Sequence, residues 1–151
     1  MNKLLIVLSF LIIAGCLSVS DIDLSGQELY GYQPNTLFEK ERAYPIVEEK
    51  IIGTNLSLRY EDGIRFIVSP ENIILSIETR SEMKPLESRD GIKQGDSVDK
   101  VIKKLGKKYS TRIEQGAKVY TYQDSKNKLI QEFWTVDGKV QIIRLKTKDK
   151  I

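Results

Sequence analysis

Residues 91–106, reading GIKQGDSVDKVIKKLG, constrain the fold of this chain more than any other stretch. Val98, Val101, Ile102 and Leu105 fall at i, i+3, i+4 and i+7, which makes one apolar stripe of a short amphipathic helix. Ser97 stands where an N-cap belongs, its hydroxyl able to accept from the N–H groups of the first turn. Gly106 stands where a left-handed residue closes a helix, because glycine reaches positive φ without a Cβ clash. Two turns of helix do not persist alone, since nucleation is costly below about 12–15 residues. The stripe must dock on something, and clusters of short strands flank it on both sides.

On the N-terminal side, residues 56–60 (LSLRY) alternate with period two, Glu61-Asp62-Gly63 supplies turn chemistry, and residues 64–68 return. Asp-Gly is a favoured hairpin pair because a type I′ turn needs positive φ at both central positions. Ser69-Pro70-Glu71-Asn72 makes a second turn before a third strand at 73–79. Residues 81–90 are polar, contain Pro85, and read as the connection into the helix. Beyond Gly106, strands are expected at 118–123, 129–136 and 140–146, separated by a polar turn at 124–128 and by Asp137-Gly138. The expected fold is α+β: antiparallel three-stranded meanders flanking a short helical segment, with the helix packed on one face of the sheet. Tyr60-Glu61-Asp62 matches Tyr122-Gln123-Asp124, and Ile74 and Ile77 match Val140 and Ile143. This reads either as an internal duplication of a three-stranded unit or as convergence on meander chemistry.

Residues 1–15 read as a targeting leader. Lys3 makes its start positive, and residues 4–13 are apolar except Ser9, too short for the roughly 20 residues a spanning helix needs. The run ends in Ile12-Ile13-Ala14-Gly15-Cys16, which resembles the bacterial lipobox. That resemblance implies diacylglycerol on the Cys16 sulfur, cleavage between Gly15 and Cys16, and an acyl chain on the new α-amino group. Two such chains would hold the protein at a membrane, each buried CH₂ being worth about 0.8 kcal/mol. Leu17 follows, and the resemblance then favours the outer membrane in a two-membrane host, where Asp at this position signals inner-membrane retention. Cys16 is the only cysteine, so no intrachain disulfide can form.

The 24 basic residues, Lys3 among them, face 21 acidic ones, and the mature balance is close to neutral. That weighs against nucleic acid as a partner, as does an extracytoplasmic location. The chain has no histidine. With its single thiol lipidated, Ser-His-Asp and Cys-His catalysis and zinc sites built on His or Cys are excluded. The inventory calls for no metal and no cofactor, and the expectation is a protein that is not an enzyme. By segment, residues 16–45 are expected to be a tether, with a short helix at 36–42 capped by Asn35 and ended before Pro45. Residues 46–151 form the α+β domain, with 46–80 as a first strand cluster.

Residues 91–151 carry a second resemblance. Gly91-Ile92-Lys93-Gln94-Gly95-Asp96-Ser97, Val101, Leu105-Gly106, Tyr120-x-Tyr122 and the strands around Asp137-Gly138-Lys139-Val140 resemble the SmpA/OmlA-type small lipoproteins, relatives of the small lipoprotein of the β-barrel assembly machinery. The resemblance implies two short helices against a three-stranded antiparallel sheet, as in β-lactamase-inhibitor proteins. It departs from that pattern at Lys107-Lys108-Tyr109, where a proline is usual soon after Leu-Gly.

Two candidate surfaces follow. Lys100, Lys103, Lys104 and Lys107 lie on the helix face opposite the apolar stripe. They read as a contact for anionic headgroups or envelope polymer, each cation worth about 1 kcal/mol near such a surface, or as a solvated face. Tyr120, Tyr122 and Trp134 on neighbouring strands read as an aromatic binding patch or as core with polar tips at the rim. Carboxylates cluster at Glu48-Glu49, Glu61-Asp62 and Asp96 with Asp99, where turn and helix-start chemistry accounts for them without catalysis. The expected role is a lipid-anchored envelope protein that binds or scaffolds a protein partner through a sheet face or edge, with a part in outer-membrane protein assembly or envelope integrity. The alternatives are a lysine-face binder of anionic polymer or lipid, and a proteinaceous hydrolase inhibitor.

Overall fold

Short segments in which core-facing and outward-facing side chains alternate build the molecule. In the computed structural model, which describes residues 21–41, 43–80 and 87–148, eight strands and one helix follow in the order β1 (Ile46–Ile52), β2 (Asn55–Tyr60), β3 (Ile64–Val68), β4 (Ile74–Thr79), α1 (Val98–Leu105), β5 (Ser110–Glu114), β6 (Ala117–Asp124), β7 (Leu129–Val136) and β8 (Lys139–Thr147). All eight strands lie in one sheet of order β1-β2-β3-β4-β8-β7-β6-β5, antiparallel throughout.

This corrects the expected α+β arrangement of separate three-stranded meanders with a helix-covered face. Each cluster has a fourth strand at its outer edge, and the two last strands pair, Ser76–Thr79 of β4 against Ile143–Lys146 of β8, fusing both clusters into one sheet. The overlooked strands are the two edges. β1 carries Glu48-Glu49-Lys50 and β5 carries Thr111 and Arg112, charged and polar positions that hide the alternation and blunt the edge against stray pairing. Nor does a second helix appear among the described residues, as the two-helix arrangement would require.

The two halves repeat one another in detail. Tyr60 of β2 meets Phe66 of β3 edge-on at 6.0 Å and 88°; Tyr122 of β6 meets Phe133 of β7 at 6.0 Å and 87°. Each tyrosine hydroxyl donates to a backbone carbonyl, Tyr60 to Lys40 at 3.0 Å and Tyr122 to Gly106 at 2.9 Å. Two residues on, Asp62 accepts from the Ile64 N–H and Asp124 from the Asn127 N–H. Phe66 then pairs with Ile77 across β3–β4, and Phe133 with Ile143 across β7–β8. The unit so repeated is a four-stranded meander.

One face of the sheet holds the core, with Leu58, Tyr60, Phe66, Ile77, Tyr122, Phe133, Ile143 and Leu145 at most 1% exposed. The helix covers part of it. Ser97 caps it as expected, accepting from the Lys100 N–H, and Gly106 closes it at φ 83° with its N–H donating to the Ile102 carbonyl at 2.8 Å. Only Val101 is fully buried, with Val98, Ile102 and Leu105 partly so against the same cluster. Gly95 and Val98 donate to the carbonyls of Val140 and Gly138, which lays the helix entry beside the start of β8.

Irregular chain covers the rest. The segment expected to be a tether is docked from Asp21 onward: Leu24 and Leu29 are 0% exposed, Ile22 donates to the Gln123 carbonyl, and Tyr32 stacks edge-on against Phe66. The helix expected at 36–42 does not form over the described residues 36–41; Asn35 does not cap one. Its N–H and that of Phe38 donate to Ile74 and Asn72, and Thr36 accepts from Ile74, so the backbone groups a helix would use pair with the start of β4. Burying Phe38 there is worth about 1.5–3 kcal/mol, more than two turns of helix could return.

Candidate functional site

The opposite face of the sheet carries the charge. Alternation puts Arg59, Arg65, Glu78, Arg144 and Glu132 there, each between residues that point into the core. The registers set them side by side in one row across the sheet: Glu48–Arg59–Arg65–Glu78–Arg144–Glu132–Thr121–Ser110. Glu78 and Glu132 are 4% and 2% exposed, buried beneath the cations around them.

Arg144 joins the two acids. Its Nε donates to Glu78 Oε2 at 2.8 Å, Nη2 reaches the same oxygen, and Nη1 donates to Glu132 Oε2 at 3.2 Å. Arg80 occupies Glu78 Oε1, while Arg112 and Lys146 each stand 3.2 Å from Glu132 Oε1. The Trp134 indole N–H donates to Glu132 at 3.3 Å, and the guanidinium carbons of Arg144 and Arg112 lie 4.9 and 5.6 Å from its ring centroid. Toward β1, Arg59 donates to Glu48 at 2.8 Å, and Lys50 pairs with the same carboxylate.

Burial pushes the pKa of Glu78 up, but the charge and hydrogen bonds of Arg144, with those of Arg80, outweigh it and hold the group below its ordinary value. Burial likewise opposes ionisation of Glu132, and Lys146, Arg144 and Arg112 reverse the balance. Both acids are therefore carboxylates at neutral pH. Along the row and its flanks, Lys50, Arg59, Arg65, Arg80, Arg112, Arg144 and Lys146 outnumber Glu48, Glu78, Glu114 and Glu132 by three. The face is a network with a positive surplus.

Within it lies a cleft of about 150 Å³, lined by Ile52, Arg65, Ile67, Ser76, Glu78, Arg144 and Lys146. Ser76 explains the hollow. It stands on β4 opposite Ile67 of β3 and Lys146 of β8, a short side chain between long ones.

The anticipated sites are distributed differently. Trp134 lies on this outer face, with Val119, Ala117 and Ile142 around it. Tyr120 and Tyr122 point into the core, where Tyr109 packs against both. The three aromatics thus form no common patch, because Tyr120 faces Phe133 in the register and Trp134 is the next residue along. On the helix, Lys100 is tied to Asp96 at 2.7 Å, whereas Lys103, Lys104 and Lys107 are exposed and make no ion pair among the described residues. Cys16 and Pro85 lie outside the described residues. Of the carboxylate clusters, Glu48 and Asp96 are held ionised by cations, and Asp62 by geometry serves its turn.

The arginine–glutamate row escaped the sequence reading. Its signal was present as single charges flanked by core residues, Arg65 between Ile64 and Phe66, Glu78 between Ile77 and Thr79, Arg144 between Ile143 and Leu145. Only the cross-strand register brings them together.

No family of known proteins matches the sequence, and no curated protein matches it. Among solved structures, the chain is similar to an extracellular protein containing an SCP domain from Bacillus anthracis, at 9% identity and TM-score 0.43, over 68% of this chain and 38% of that one. It is also similar to a DUF4309 family protein from Bacillus subtilis, at 14% identity and TM-score 0.40, over 77% of this chain and 72% of that one.

Proposed function

We propose that this is a non-enzymatic binding protein of the bacterial envelope, held at the membrane by lipid on Cys16, which presents the outer face of its sheet to an acidic protein partner. The observation that carries this reading is the arginine-rich row with its surplus of cations around Trp134. Arginine, a rigid fork that stays charged and stacks on aromatic rings, is the side chain best suited to protein contacts of this kind. Among the described residues, the carboxylates with a displaced pKa, Glu78 and Glu132 included, are displaced toward the ionised form. That favours a charged docking surface over acid–base chemistry, which would need one group raised. A place beside the β-barrel assembly machinery is one form this role can take.

The lysines of the helix supply a second reading, contact with anionic polymer or lipid, because Lys103, Lys104 and Lys107 are exposed without an ion pair among the described residues. Crosslinked capture from native membranes separates the two. A Lys50→Glu/Arg59→Glu chain should lose the protein partner, and a Lys103→Glu/Lys104→Glu chain should keep it. The converse would move the function to the helix. Cys16→Ser should release the protein from membranes; the same processed, membrane-bound product would overturn the lipid anchor.

A further inference from the structure

We infer that the cleft between β3, β4 and β8 is the point of recognition on the outer face, and that it takes one carboxylate side chain of the partner, flanked by apolar residues. This rests on the reading of that face as the partner's contact surface, and adds the chemical group that enters it.

The argument turns on Arg65. Two other guanidiniums of this face have every nitrogen engaged: Arg144 places Nε, Nη1 and Nη2 on Glu78 and Glu132, and Arg112 places its three on Glu114, Thr121 and Glu132. Arg65 makes no hydrogen bond among the described residues. It stands 3.9 Å from Glu78 and 3.5 Å from Glu48, at ion-pair range only, and its Nε is buried without a partner. Arg80 and Arg144 already hold the two oxygens of Glu78, and at 3.9 Å Arg65 stands beyond hydrogen-bond range of the nearer one. A guanidinium with unused donors, lining a hollow that Lys146 also lines, matches a planar carboxylate.

The hollow also selects what surrounds that group. Ile67 and Ile52 form its apolar side, and Ser76 forms its floor. Arg144 links the cleft to Trp134, the sole tryptophan, so occupancy should register in indole emission.

The test uses the full chain and two short blocked peptides, one carrying a single glutamate between leucines and the other glutamine in its place. Emission from Trp134 should change and saturate with the glutamate peptide only. Arg65→Gln should weaken that binding by about tenfold, the loss of one charge-assisted pair. Ser76→Val, which fills the floor and leaves every cation in place, should abolish it, with thermal melts showing both variants folded. Equal titration by the two peptides would overturn the inference. So would unchanged affinity in Arg65→Gln, or a response to inorganic phosphate in place of the peptide. If membrane capture still depends on Lys50 and Arg59 while the peptide fails, the outer-face reading stands and the cleft falls alone.

Discussion

Glu78 and Arg144 occupy equivalent positions in the two halves of the sheet and face each other across the seam that joins them. The equivalence follows from register: Phe66 corresponds to Phe133, so Ile77 corresponds to Ile143 and the next residues, Glu78 and Arg144, to one another. They are also direct partners in the β4–β8 ladder, so the pseudo-two-fold axis runs through their pair. Arg65 and Glu132 flank them, again equivalent and again opposite in sign. Two identical halves would set like charges against each other there, which is destabilising between directly opposed strand residues. Reversal of sign between the copies turns that repulsion into the ion pair at the centre of the outer face.

Arg144→Met should cost about 3 kcal/mol, because it strands Glu78 and Glu132, both almost fully buried, with fewer cations. Arg144→Lys should recover only part of the loss, since a point charge cannot fork to two carboxylates. Urea unfolding measures both.

Acid should destabilise the fold through the same pair. Glu78 and Glu132 have folded pKa values below their ordinary 4.5, so their contribution is fully present above that value and is lost as pH falls through the folded values. Urea midpoints should be flat from neutrality to about pH 5 and drop below it. A Glu78→Gln/Glu132→Gln chain should show a shallower acid slope.

Tyr122 gives the opposite limb. Burial, with Tyr109 and Tyr120 beside it, pushes its pKa from 10.0 up to about 12. The folded group stays neutral where the unfolded one ionises, so stability should hold below pH 10 and fall as pH rises toward about 12. Tyr122→Phe, which loses the bond to the Gly106 carbonyl, should cost about 1 kcal/mol at pH 7 and remove that alkaline slope. Gly106→Ala should cost about 1–3 kcal/mol, because φ is 83° there and only glycine adopts that backbone freely.

Equivalence of the halves predicts matched penalties. Phe66→Ala and Phe133→Ala, each emptying a fully buried ring site against an equivalent tyrosine, should both cost about 3–5 kcal/mol. A difference larger than about 2 kcal/mol would mean that the two sites relax differently despite their shared geometry.

What could be read from sequence was local. The stripe of Val98, Val101, Ile102 and Leu105, the cap at Ser97, the closing Gly106 and the six central strands follow from spacing and turn chemistry. The hairpin at Asp137-Gly138 has positive φ at both residues, as its type requires. The fused sheet was hidden because nothing local specifies that β4 finds β8 rather than ending its own meander. The edge strands were hidden by the charges that protect them. The docking of Leu24 and Leu29 gave no periodic signal, since irregular chain buries single residues without a repeat. The outer face depends on seven registers at once, and the alternation that placed Tyr120 and Trp134 on opposite sides needed a face assignment that neighbouring positions alone do not supply.

Photocrosslinking in native membranes bears most directly on the outer face as the contact surface, with the probe placed at Ile67 or Thr121 there and at Lys104 on the helix. The account predicts one protein adduct from Ile67 and Thr121, lost in high salt as a charged contact is screened, and none from Lys104. Adducts from Lys104 alone, or none from either outer-face position, would contradict it.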